Sequence, residues 1–197
     1  GSSVAISGDT AVVGTLNVAY IFERNQGGFN NWGEAKKLFA SDGDDLFGNA
    51  VAISGDLVAV GGRDQVFMFG RNQGGPNNWG EIKIITNSDR DPNDFPGLTI
   101  ALEGDTLVMG TPRRNLDTNN DGRKEGQVGA AYIFQKDQGG VNNWGEVKKL
   151  TASDFADFDL FGSDVAISGD VVVIGAEFED HDTNNDDERC QPQRSPG

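Results

Sequence analysis

Apolar and polar residues alternate in short runs along this chain, and the runs recur. Val51 to Gly62 reads VAISGDLVAVGG, two runs of β-branched and small apolar residues on either side of Gly55-Asp56. The pattern returns as VAISGDTAVVGT from Val4, IALEGDTLVMGT from Ile100 and VAISGDVVVIGA from Val165. Alternation at period two predicts strands. The Gly-Asp pair predicts a tight turn, because Gly accepts positive φ and Asp bonds locally to the backbone. The second run of each copy is apolar almost throughout, as expected of a strand covered on both faces. Gly14, Gly61, Gly110 and Gly175 close that run, which predicts a close backbone approach or a bulge.

A third strand follows in NVAYIFER, Asn17 to Arg24, with Tyr20 and Phe22 on one face. Next comes a loop of turn formers, QGG-x-NNWGE, present from Gln26, Gln73 and Gln138. The fourth strand is GEAKKLFA, Gly33 to Ala40, with counterparts GEIKIIT and GEVKKLTA. Each carries lysine (Lys36 and Lys37, Lys83, Lys148 and Lys149), the usual protection of an exposed sheet edge, so the fourth strand is predicted outermost. Acidic connections then lead on, SDGDDLFG, SDRDPNDFPG and SDFADFDLFG. Their phenylalanines, Phe47, Phe95 and Phe161, are predicted to plug between neighbouring sheets. Phe95-Pro96-Gly97 splits the Phe-Gly pair and predicts a distorted junction there.

The period settles the architecture. Phe22, Phe69 and Phe134 repeat at the same offsets as Trp32, Trp79 and Trp144, giving a unit of about 47 residues, the length of a four-stranded propeller blade. Ile100 to Phe134 spans 34 residues against 18 from Val51 to Phe69, so unit three carries an insertion between strands two and three. Unit four leaves the pattern after Ala176. The predicted fold is all-β, a β-propeller of four-stranded antiparallel blades with about three and a half blades present. Blade 1 covers 1–46, blade 2 covers 47–94, and blade 3 covers 95–160 with its insertion at 112–127. Blade 4 starts at 161–176, and an irregular acidic segment fills 177–197. Gly1-Ser2-Ser3-Val4 aligns with Gly48-Asn49-Ala50-Val51, so the chain starts inside a repeat. Three and a half blades leave open edges, and the expectation is a piece of a larger propeller or an arc completed by other chains.

Phe-Gly followed by VAISGD and VVG resembles the FG-GAP repeat, the unit of the propeller at the N-terminus of integrin α chains. The NQGG-x-NNWGE-V-K-K-L stretch is similar to a bacterial-type variant of it. The resemblance runs from Gly1 to about Ala176. It implies a seven-bladed, usually extracellular or cell-surface propeller, often calcium-binding, used for adhesion or ligand recognition. One departure matters. The calcium loops of that family lie between strands one and two, where this chain has only the turns Gly8-Asp9, Gly55-Asp56, Gly104-Asp105 and Gly169-Asp170. One carboxylate at a tight turn cannot hold calcium, so those sites do not transfer.

Calcium takes six to eight oxygens from carboxylates, amides and backbone carbonyls. The insertion offers such a set in DTNNDGRKE: Asp117, Asn119 and Asp121 at positions one, three and five. Gly122 follows at the turn, Arg123 offers its carbonyl at seven, and Glu125 stands at nine. Val128 at twelve excludes an EF-hand. Against this stands a plain solvated loop neutralised by Arg113, Arg114, Arg123 and Lys124. A second run, DHDTNNDDE, places Asp180, Asp182 and Asn184 at one, three and five, with Asp186 at seven and Glu188 at nine; the alternative is an acidic tail. The repeated acidic connections, with Asp42, Asp44 and Asp45 or Asp154, Asp157 and Asp159, read as turns that shape the blade junctions.

The net charge of −15 over 197 residues argues against nucleic acid and anionic membrane surfaces as partners. No run reaches transmembrane length, so direct membrane insertion is not expected. Cys190 is the lone cysteine and allows no internal disulfide. His181 is the only histidine and no catalytic motif is present, so an enzyme is not expected. The three tryptophans read as packing at the start of strand four rather than as a sugar-stacking surface. The expected function is recognition of a protein or glycan ligand. The expected face is the one carrying the long strand two-to-three loops, stiffened by calcium, with remaining blades of the same or another chain as further partners. A sugar-binding accessory module of a secreted enzyme and a structural spacer are the alternatives.

Overall fold

The computed structural model describes residues 1–90, 98–115 and 126–179. Each unit folds as an antiparallel meander. Blade 1 is β1 (Ser3–Ser7), β2 (Thr10–Thr15), β3 (Val18–Arg24) and β4 (Trp32–Leu38), hydrogen-bonded in that order. Blade 2 is β5 (Ala50–Ser54), β6 (Leu57–Gly61), β7 (Val66–Gly70) and β8 (Gly80–Ile85). Blade 3 is β9 (Thr99–Glu103), β10 (Thr106–Thr111), β11 (Ala130–Lys136) and β12 (Trp144–Leu150). Blade 4 shows β13 (Phe161–Ser168) and β14 (Val171–Ala176) among the described residues. The fourth strand is outermost in every complete blade, and successive first strands pack on one another on the inside.

Register explains why apolar pattern and burial agree. Val51 pairs Val60, which pairs Phe67; Ile53 pairs Val58, which pairs Phe69. These six residues share one face and bury against Val12, Ala19, Ile21 and Leu38 of blade 1. Ala52, Ala59 and Met68 lie on the other face and pack on Leu107, Met109 and Tyr132 of blade 3. Blade 2 is therefore covered on both sides, and all of β7 is buried. Burying a Phe or Met side chain stabilises by about 2–3 kcal/mol, so the junctions carry much of the fold.

The Phe-Gly pair and the closing glycine are one device. Phe47 is fully buried between blades 1 and 2, with edge contacts to Phe67 and Phe69 at 5.1 and 6.0 Å. Gly48 follows at φ +96, where a Cβ would stand 2.1 Å from the Thr15 carbonyl oxygen. A Cβ on Gly14 would meet the Gly48 oxygen at 2.2 Å. At Gly14, and at Gly110 where a Cβ would meet the Gly162 oxygen at 2.3 Å, the predicted close approach is backbone against backbone across a junction. Gly61 and Gly175 have only contacts within their own blades, at 3.2 and 3.5 Å. Bulges lie between Ile21 and Phe22 and at the matching points of β7 and β11, and a further register shift between Phe161 and Asp164 stands opposite the closing glycine Gly175. Phe161 is half-buried and packs in the blade 3–blade 4 cluster. Phe95, Pro96 and Gly97 lie outside the described residues.

The QGG-x-NNWGE loop has a local cause. Asn30, Asn77 and Asn142 adopt positive φ, and their amides donate to Oδ1 of Asn25, Asn72 and Asp137. Asn31, Asn78 and Asn143 then donate from Nδ2 to the carbonyls of Gln26, Gln73 and Gln138. Two Asx bonds per loop hold it in one shape and set the following tryptophan.

Candidate functional site

The meander places the strand two-to-three and four-to-one connections on one end of the arc. The described ends of the blade 3 insertion are anchored there. Gly129 donates to the Arg114 carbonyl at 3.1 Å, and Gln127 donates to Asn115 Oδ1 at 2.8 Å. Beyond this neck the segment runs beside the acidic connection into blade 4. Gly126 donates to Asp157 Oδ1 at 2.9 Å, Phe158 donates to the Gly126 carbonyl at 2.8 Å, and Phe161 donates to the Val128 carbonyl at 2.9 Å. Gln127, Phe158 and Leu160 all hold positive φ in this stretch. Such backbone persists only where surrounding bonds over-determine it.

A second anchor comes from blade 2. Asp89 accepts from the Tyr132 hydroxyl at 2.7 Å, from Lys149 Nζ at 2.8 Å and from Asn87 Nδ2 at 3.1 Å. The buried Arg114 guanidinium stands 3.5 Å from the same carboxylate. Burial alone would raise the Asp89 pKa, but the hydrogen bonds from Lys149 and Tyr132 and the charge of Arg114 outweigh it and hold it below the usual carboxylate value. Burial, then the bond to Asp89, pushes the Tyr132 hydroxyl above the ordinary tyrosine range. The base of the insertion is thus tied to blade 2 on one side and blade 4 on the other.

Asp117, Asn119, Asp121, Arg123 and Glu125 lie outside the described residues, and so do Asp180, Asp182, Asn184, Asp186 and Glu188. Among the described residues no group of three or more His, Cys, Asp or Glu side chains is placed to hold a metal. The acidic connection before blade 2 shows what its carboxylates do instead. Asp44 accepts from the amides of Leu46 and Arg63 and from Gln65 Nε2, at 2.8–3.1 Å. Asp42 accepts from the Asp44 amide and from Gln65 Nε2. Asp45 pairs with Arg63 at 2.6 Å, and that hydrogen bond, followed by the Asp45 charge, raises the Arg63 pKa. The bonds to the Asp44 and Leu46 amides form the turn, and those from Arg63 and Gln65 tie this connection to the strand two-to-three loop of blade 2.

The tryptophans pack. Trp79 and Trp144 are 1% and 3% exposed, whereas Trp32 is 38% exposed because the face it lies on is uncovered. Each buried tryptophan covers the preceding blade. A set of polar contacts across the junctions was not legible as such in the sequence. Lys36 donates to Asn78 Oδ1 at 3.1 Å, and Lys83 bonds Asn143 in the same way. Ser41 and Ser88 donate to Glu81 and Glu146 at 2.8 and 2.9 Å. The strand-four lysines therefore tie blades together as well as protecting edges. Their recurrence at the repeat spacing was the available signal.

A family model for the FG-GAP repeat matches residues 32–74, 79–134 and 144–189. The first match runs from β4 through β7 and the second from β8 through β11. The sequence unit is thus offset from the sheet by one strand, and each repeat supplies the outer strand of one blade and three strands of the next. A comparison with curated proteins found no match. With most of its length matched, and with sheets built as propeller blades, the chain belongs to the FG-GAP repeat family.

Proposed function

We infer that the chain is a non-catalytic recognition module of the integrin-type propeller class. It presents ligand-contacting loops on the end that carries the strand two-to-three and four-to-one connections. The observation that supports this most is the anchored base of the blade 3 insertion. Its two described ends are fixed by backbone bonds to the blade 4 connection and by the Asp89 cluster to blade 2. A long insertion on a rigid base is how propellers and sandwiches commonly display recognition residues. The partner is a protein or glycan ligand, and the remaining surface suits other blades of the same or another chain.

Calcium is part of this reading, on ligand chemistry rather than on coordinates. Asp117, Asn119, Asp121, Glu125 and the Arg123 carbonyl form a hard-oxygen set of the kind calcium takes. Asp180, Asp182, Asn184, Asp186 and Glu188 form a weaker one. Bound calcium would stiffen the displayed loop. FG-GAP repeats typically occur in extracellular proteins, and no described helix is long and apolar enough to cross a membrane. An extracellular or cell-surface setting, at millimolar calcium, fits this reading. Burial of Trp79 and Trp144 takes two of the three tryptophans out of the stacking role a sugar-binding accessory module would need, while Trp32 stays 38% exposed.

The test is calorimetric titration with calcium, with melts in calcium and in chelator. Heat that disappears in Asp117→Ala/Asp121→Ala, with a higher melting temperature in calcium for the parent alone, is expected. Absence of heat and of any melting shift would sink the calcium part, and the structural spacer would become the better reading.

A further inference from the structure

The connection into blade 4 carries a side chain that the fold does not use. Ser153 to Phe161 is two residues longer than its counterpart Ser41 to Phe47, and the same Leu-Phe pair ends both. The shorter version closes the blade 1–blade 2 junction with Phe47 as its one aromatic residue. In the longer one, Phe155 packs against the core between blades 2 and 3, and Phe161 packs at the next junction. Phe158 does neither and is 55% exposed.

Its backbone makes that exposure costly. Phe158 holds φ +73, a region that bulky residues avoid. Trp79 and Leu160 hold positive φ too, but both are buried, so packing offsets the strain. Phe158 is held by hydrogen bonds instead. Its amide donates to the Gly126 carbonyl at 2.8 Å, and the buried Asp159 beside it accepts from the Ala156 amide. The Asp159 carbonyl in turn accepts from the Phe178 amide at 3.3 Å, and Phe178 is 61% exposed. Two exposed phenylalanines are thus fastened to one residue, between the blade 3 insertion and the segment that follows β14. Strain of this kind clusters where a ligand is held. Rigid aromatic side chains anchor protein interfaces because little conformational entropy is lost when they are covered.

Charge narrows the occupant. From Leu150 to Glu179 the chain has seven Asp and Glu and no Lys or Arg. The exposed Asp157 precedes Phe158, and the exposed Glu177 precedes Phe178. In the blade 1–blade 2 connection Arg63 neutralises Asp45, whereas Asp157 accepts from the Gly126 amide.

We propose, on the reading of this end as the recognition face, that Phe158 and Phe178 anchor a protein partner whose docking surface is apolar and bordered by lysine or arginine. The apolar centre covers the two rings, and the basic border answers Asp157 and Glu177. An acidic polymer is repelled by the same carboxylates.

The test uses the full chain and a defined probe, a fluorescein-labelled helical peptide of leucine and lysine with one apolar face flanked by lysines. Anisotropy at physiological salt should show saturable binding. Phe158→Asn with Phe178→Ser should weaken it about tenfold or more. Asparagine tolerates positive φ, so the turn is kept and the variant should melt no lower than the parent. Asp157→Asn with Glu177→Gln should weaken binding less and lower its salt dependence. Phe29→Ser should change nothing, although Phe29 is 91% exposed in a loop at the other end of the arc. A peptide of equal charge with serine for leucine should not bind. A parent that does not bind, a phenylalanine variant that binds as the parent does, or equal binding of the serine peptide would overturn the proposal. So would a lower melting temperature of Phe158→Asn, since Phe158 would then be a packing residue. Hydrogen exchange separates the anchors from the wider reading. Protection on the same end but away from 153–161 and 177–179 overturns the anchors and leaves the recognition face standing; protection only around Phe29 overturns both. Self-association of the parent, by sedimentation, that Phe158→Asn abolishes would also overturn the proposal, since a second copy would then be the occupant.

Discussion

Gly48→Ala tests whether the Phe-Gly glycine is required by contact rather than by backbone freedom alone. Gly8 provides the comparison, because it too has positive φ, +56, but a Cβ there meets nothing within 4 Å. Gly8→Ala therefore carries only the left-handed penalty, about 1–2 kcal/mol. That lowers the melting temperature by roughly 2–8 °C for a chain of this size. Gly48→Ala carries at least that penalty at φ +96, plus overlap at 2.1 Å with the Thr15 oxygen and 2.8 Å with the Val18 oxygen. Both are backbone atoms in paired strands and cannot rotate away. Relief requires blades 1 and 2 to separate by about 1 Å, which forfeits up to about half of the dispersion energy at the contact. Phe47 sits in that contact, fully buried. The total is about 4 kcal/mol or more, a large part of a typical 5–15 kcal/mol stability. Urea unfolding followed by tryptophan fluorescence, with melts by circular dichroism, measures both variants. A Gly48→Ala cost no greater than that of Gly8→Ala would refute the reasoning.

Arg71→Met should cost about 2 kcal/mol in urea unfolding, because it removes the charge partner of the largely buried Glu23 carboxylate and leaves it only the longer bonds from Trp79 Nε1 and Gln26 Nε2. Arg71→Lys should recover only part of that, lacking the fork. Arg24→Met, at an exposed copy of the same pair, should cost under about 0.5 kcal/mol. Asp89 has a lowered folded pKa, so its ionised form adds stability above the ordinary carboxylate value of about 4. That contribution fades as pH falls through the lower folded value. Asp89→Asn should therefore flatten the acid limb of the stability curve below about pH 4, by about 1 kcal/mol or less given its partial exposure. Tyr132 has a raised folded pKa, so its stabilisation holds below the unfolded value of about 10 and is lost as pH rises through the folded one. In alkaline titration at 295 nm, one of the two tyrosines should ionise only as the chain unfolds, and Asp89→Asn should bring that step to lower pH.

The repeat arithmetic alone determined the blade, its four strands and their order. A period of about 47 residues, Gly-Asp turns and alternating apolar runs admit few other packings. Strand-four lysines correctly marked the outer edge, and the recurrent Phe-Gly marked the junction, because each repeats a local requirement at every copy. The calcium residues are legible as a ligand pattern in the sequence and lie outside the described residues.

What the tertiary structure decided is what crosses from one sheet to the next. Trp32, Trp79 and Trp144 are equivalent in sequence, yet one is exposed and two are buried, since burial depends on whether a neighbouring blade is present. Arg71 and Arg24 are likewise equivalent, but only Arg71 meets a carboxylate on another blade. The tie between Asp89, Arg114, Tyr132 and Lys149 joins residues up to 60 positions apart. Local propensity follows from each residue and its near neighbours, so a sequence period exposes it. Contacts between blades depend on which sheets stack, and only the packed chain specifies that.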